Sequence, residues 1–209
     1  MARPLWWVFA VVAGALAVVA VAHWADALLT GRPIVYGEGP VAHAAILFRD
    51  GAAYRDTTGT VAANYPPLYI ALASLGDPFR VGRAVTIVSA IAVAAIVAWR
   101  ARDAGPLASG SLAVGWLALV PVGIWGAAVK PDLLAVALTL GGVALLERSR
   151  GGGTGAVAAG ALLALALWTK PTAALPAIAV FVWTLFAARP AFAPGLAGFS
   201  VVAAIGVAY

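Results

Sequence analysis

The chain has 209 residues, of which 64% are hydrophobic and 10% charged, and its mean hydropathy is +1.00; water-soluble domains carry about 25% charged residues. That balance excludes a soluble globular domain and predicts an all-α integral membrane protein, a polytopic transmembrane helix bundle. The lack of cysteine excludes disulfides and thiolate-held metal, and the net charge of +5 belongs to arginines in short loops between apolar runs, a pattern of membrane topology and not of nucleic-acid binding.

The first apolar run, residues 5–22, is long enough for a bilayer core, which needs roughly 20 helical residues. Arg3 and Ala20-Val21-Ala22 also fit a cleavable signal, but the run is long for a signal core and a retained helix is expected. Residues 24–83 read as a long outer loop with juxtamembrane helices, in which Asp26, Glu38, Asp50, Asp56 and Asp77 balance Arg32, Arg49, Arg55, Arg80 and Arg83. Within it Val41, Ala45, Phe48 and Ala52 recur at helical spacing, with His43 and Arg49 elsewhere on the wheel, which predicts an amphipathic helix at the membrane surface. Gly37 and Gly39 flank Glu38 and let the backbone turn there. Asn64-Tyr65-Pro66-Pro67-Leu68-Tyr69 is a rigid, extended approach to an apolar segment, 68–75, too short to span.

Six further spans follow at 84–99, 107–129, 133–146, 155–168, 172–188 and 193–209. The third and fourth of these, at about 14 residues, cover only about 21 Å of a roughly 30 Å core, so they either thin the bilayer or end in a watered, protein-lined cavity. Both abut a lysine. Lys130-Pro131-Asp132 and Trp168-Thr169-Lys170-Pro171 hold the only two lysines of the chain, and an ammonium at such a joint is expensive enough to suggest a function. Arg3, Arg100 with Arg102, Arg148 with Arg150, and Arg189 mark alternate helix ends as cytoplasmic, which puts the N-terminus inside and Lys130, Asp132 and Lys170 outside; Arg80 and Arg83 run against that bias. Gly14, Gly115, Gly141, Gly142 and Gly160 allow close helix packing, and Gly151-Gly152-Gly153 reads as a cytoplasmic turn. Tyr209 closes an apolar run without a polar cap, which suggests the N-terminal portion of a longer single transmembrane module.

In order, the apolar first helix, Tyr36-Gly37-Glu38-Gly39, Asn64-Tyr65-Pro66-Pro67-Leu68, Gly82-Arg83, Lys130-Pro131-Asp132 and Thr169-Lys170-Pro171 resemble the N-terminal part of GT-C glycosyltransferases. The nearest in kind are protein O-mannosyltransferases and bacterial aminoarabinose transferases. The resemblance implies a multi-pass enzyme of the plasma (inner) membrane that moves a sugar, with inversion, from a polyprenyl-phosphate donor to a hydroxyl of a glycan, lipid or protein acceptor on the outer face. It implies Glu38 as the base that deprotonates the acceptor and Asp132 as a second acid. Lys130 and Lys170 would meet the phosphate of the departing lipid, with Arg83 a third cation, and Asn64 and Tyr65 would contact the lipid-sugar donor. Tyr65 stands where aminoarabinose transferases have lysine, and the paired Asp-Glu of the mannosyltransferase loop is absent, which leaves Asp26 as a competitor for the base. No Asp-x-Asp occurs, so no divalent metal is called for. A secondary transporter or flippase for an anionic or lipid-linked substrate is the alternative.

Overall fold

The computed structural model describes residues 3–54, 63–149 and 153–207. Arg55, Asp56, Arg150, Gly151, Gly152 and Tyr209, named above, lie outside the described residues. Among the described residues all regular structure is helical. The chain divides into two compact units, one formed by Met1–Asn64 with Ile70–Leu133 and the other by Tyr65–Tyr69 with Leu134–Tyr209.

In the first unit, helix α1 (Arg3–Leu29) is about 40 Å long and continues well past the expected end at residue 22. The extra turns are held because Trp24 and Ala27 are buried there and the Trp24 indole donates to the Gly123 carbonyl at 2.7 Å. Helix α2 (Glu38–Arg49) has the expected stripe, with Val41 and Ala45 buried and His43 and Arg49 exposed. Its apolar face packs on α4. Arg49 donates to the carbonyls of Ser74 and Gly76, just beyond the short helix α3 (Pro67–Ala73). Helix α4 (Pro78–Arg100) begins six residues before the expected 84. Asp77 explains the early start, because its carboxylate accepts from the Arg80 amide at 2.9 Å and Pro78 occupies a first-turn position that lacks an N–H. The expected loop 24–83 is therefore shorter at both ends.

The predicted span 107–129 is two helices, α5 (Pro106–Ala118) and α6 (Val120–Gly126), bent by 62°. Leu119 between them is extended, at φ −62° and ψ 127°, and Pro121 cannot donate to the turn before it, so the α5 hydrogen-bond ladder ends and a new helix starts. The pair still runs the length of the unit. Ser109 Oγ donates to Ala98 near the end of α4, the Trp116 indole donates to Ala90 midway along it, and residues 129 and 130 reach the level of Thr86 and Glu38. Helix α1, α4 and the α5–α6 pair are thus three antiparallel passes around Ala20, Trp24, Ala27, Ala90, Val122 and Ala127.

The second unit holds most of α7 (Asp132–Arg148), then α8 (Thr154–Leu167), α9 (Ala174–Ala187) and α10 (Arg189–Val207). Helices α8 and α10 pack directly on each other. A Cβ on Gly160 would collide with the Gly195 carbonyl, and one on Gly198 with Val157, so small residues set the spacing. Leu146, Ala156, Ala159 and Ala191 form a local core, and Phe181 makes edge contacts with Phe192 and Phe199.

Among the described residues three helices are long and apolar enough to cross a membrane, Pro4–Leu29, Pro78–Arg100 and Arg189–Gly206, and a fourth crossing is added if α5 and α6 count as one broken span. Seven had been expected. Helices α7, α8 and α9, at 17, 14 and 14 residues, are the short ones.

Candidate functional site

The first unit gathers Glu38, Arg83 and Lys130 at one end of its three passes. Arg83, on the second turn of α4, and Glu38, at the first turn of α2, are both fully buried and lie 3.1 Å apart. The Glu38 carboxylate accepts five hydrogen bonds. Two come from Arg83, two from the amides of Ile34 and Val35 at 2.7 and 3.1 Å, and one from the amide of Val129 at 2.7 Å. Burial alone would raise its pKa, but Arg83 and the three amides together hold the carboxyl below the ordinary carboxylate range.

Arg83 is equally committed. Its Nη1 donates to the carbonyls of Ala27 and Thr30, its Nη2 to the Arg32 carbonyl, and the remaining N–H groups to Glu38, while the Phe79 ring lies 5.4 Å from its Cζ. A guanidinium has five N–H donors, and all five are used inside the unit. It ties down the last carbonyls of α1, which would otherwise be orphaned where the helix ends.

Two expectations change as a result. A proton acceptor needs an accessible lone pair, and the Glu38 carboxylate is fully engaged by Arg83 and three backbone amides. In this arrangement it serves as an internal counterion. Arg83 has no donor left for a phosphate, so it is a structural cation and not a third phosphate ligand.

Lys130 is different. It lies at the joint between α6 and α7, with its carbonyl within 3.3 Å of the Thr86 hydroxyl. Its ammonium is 5.8 Å from the centre of the Trp125 ring and lies against Gly37, the residue that opens α2. Asp132, two residues on, is half-buried in the first turn of α7. Asp26 is exposed on the last turns of α1, one residue from the Ala27 carbonyl that Arg83 holds.

The second unit holds Tyr65 and Lys170, while Asn64 belongs to the first. The Leu68 amide donates to the Trp168 carbonyl at 3.0 Å, so the Tyr65–Tyr69 segment is fastened next to the joint that carries Lys170. Lys170 is extended at φ −153° and ψ 126° and precedes the short turn Pro171–Ala173. Tyr65 is half-buried and Asn64 is exposed.

Trp125 and the Val129 amide have no place among the sequence-derived candidates. Nothing local marks Trp125 out from the other seven tryptophans of a chain that has eight, most of which suit interface anchoring. A backbone amide has no sequence signature at all. Comparison of the chain with protein-family models, curated proteins and solved structures gives no match.

Proposed function

We propose that the chain is a polytopic membrane glycosyltransferase of GT-C type, which moves a sugar from a polyprenyl-phosphate donor to an acceptor hydroxyl on the outer face of the plasma membrane. One observation carries the reading: segments 34–38, the start of α4 and the Lys130 joint, far apart in sequence, meet at one end of the first unit. An ammonium facing the first residues of a helix meets the positive end of the helix dipole. A bound phosphate lying against both relieves that repulsion.

With Glu38 and Arg83 committed to each other, the chemistry passes to their neighbours. Asp132 takes the proton from the acceptor hydroxyl, whose oxygen forms the bond to the anomeric carbon. The bond from that carbon to the phosphate oxygen breaks on the opposite face, and polyprenyl phosphate departs with its developing charge toward Lys130. Lys170 is a cation at the same kind of joint in the second unit, and its variant belongs in the same test.

The test is transfer from a polyprenyl-phosphate sugar by the full chain in nanodiscs. Asp132→Asn is expected to lower kcat by about 10²-fold or more, and Lys130→Ala and Lys170→Ala to lower kcat/KM for the donor. Unchanged turnover in Asp132→Asn removes it as the base. The broken α5–α6 pair also suits a transporter. Substrate gathered inside sealed vesicles, with no glycosidic bond formed, would decide for that reading.

A further inference from the structure

We infer that Gly37 and Trp125 are positioning residues for Lys130: the bare Cα of Gly37 leaves the space in which the ammonium lies, and the Trp125 ring forms the other side of that space. The geometry stands on contacts within one unit, while its catalytic consequence rests on the glycosyltransferase reading.

Gly37 is left-handed, at φ 83°. A Cβ there would lie 2.5 Å from Lys130 Nζ and 3.6 Å from Cε. Nothing else comes within 4 Å of that position, so Lys130 is the one side chain among the described residues that needs residue 37 to be glycine. Because the clash is with the end of a flexible side chain, a methyl group at 37 would push the ammonium aside, in addition to the backbone strain that any side chain meets at φ 83°. On the opposite side, an ammonium within about 6 Å of an indole centre is attracted by the ring quadrupole, and the 5.8 Å separation falls inside that range. Lys130 itself is only half-buried, so its surroundings leave part of the side chain open.

The backbone of the joint is held separately. The Val129 amide donates to Glu38, and the Lys130 carbonyl lies within reach of the Thr86 hydroxyl. Two anchors therefore set where the lysine starts, and Gly37 and Trp125 set where its charge ends. Displacing the charge without deleting it is the perturbation that separates positioning from mere presence of a cation.

The chain has only two lysines, so lysine-selective ¹³C labelling of the full chain gives two Cε signals, assigned with Lys170→Arg. The Lys130 signal is expected to carry an indole ring-current shift, to lose it in Trp125→Leu, and to move in Gly37→Ala. Gly51→Ala is the control for backbone strain, since Gly51 has φ 70° with nothing within 4 Å, and it should leave the signal in place. A Lys130 signal unmoved by both Gly37→Ala and Trp125→Leu overturns the inference. In the transfer assay, Gly37→Ala and Trp125→Leu should each lower kcat/KM for the polyprenyl-phosphate sugar about fivefold, with no further loss in a Lys130→Ala background. Moved signals with an unaltered kcat/KM would keep the positioning and remove the phosphate role of Lys130.

Discussion

At the scale of single residues, the Glu38–Arg83 pair has a pH signature. The folded carboxyl titrates below its unfolded value, so the stability it contributes is complete above the ordinary carboxylate range and is lost as pH falls through the lower, folded value. Glu38→Gln leaves Arg83 buried without its counter-charge, a change worth about 3–5 kcal/mol, or roughly 10 °C in Tm for a chain of this size. The expected outcome in nanodiscs is a wild-type Tm that falls as the pH drops below the ordinary carboxylate range and a Glu38→Gln Tm that is lower at pH 7 and flatter over the acid range. A variant as stable as wild type with the same acid slope would show that the pair holds nothing together. Nothing local in the sequence announced this pairing. Glu38 and Arg83 are 45 positions apart, and a lone acid between glycines looks the same whether it faces solvent or an arginine.

At the scale of elements, the helical stripe of α2 was legible because Val41 and Ala45 sit one turn apart, with His43 on the other side. The early start of α4 was also written locally, in Asp77-Pro78, a capping acid followed by a first-turn proline, but hydropathy counting starts only where the charges stop. The break at Leu119 had its signal in Pro121, which an uninterrupted apolar run concealed. Small residues within helices split into two kinds that sequence does not separate. Gly160 lies against the Gly195 backbone, whereas Gly14 has nothing within 4 Å. Gly160→Ala is therefore expected to force α8 and α10 apart and lower the Tm by several degrees. Gly14→Ala should hold or raise it, since alanine favours a helix by about 1 kcal/mol. Equal effects of the two in thermal unfolding would count against the close approach of α8 and α10.

At the scale of the molecule, composition was enough to give an all-helical chain with apolar helices of membrane-spanning length, but not how many. Counting apolar runs treats a bent pair and a continuous helix alike, and it counts helices of 14 residues as full crossings. The antiparallel order of α1, α4 and α5–α6 predicts that the end carrying residues 30–38 and 127–132 and the end carrying residues 101–106 face opposite sides of a membrane. The natural absence of cysteine makes single-cysteine labelling clean. Tyr36→Cys, at a side chain 98% exposed, should react with an impermeant maleimide from one face of oriented vesicles, and Asp103→Cys from the opposite face only. Labelling of both from the same face would mean that α4 does not cross.

The stretch between α1 and α2 is fastened by partners that do not yet exist when the ribosome makes it. Its carbonyls at Thr30 and Arg32 wait for Arg83, about 50 residues later, and Glu38 waits a further 46 for the Val129 amide. During synthesis α1 is made first, and this stretch follows it with only its local hydrogen bonds, such as those from the Ile34 and Val35 amides to Glu38. It takes its final shape only when α4 and then α6 arrive, so the neighbourhood of Lys130 is among the last parts of the first unit to assemble.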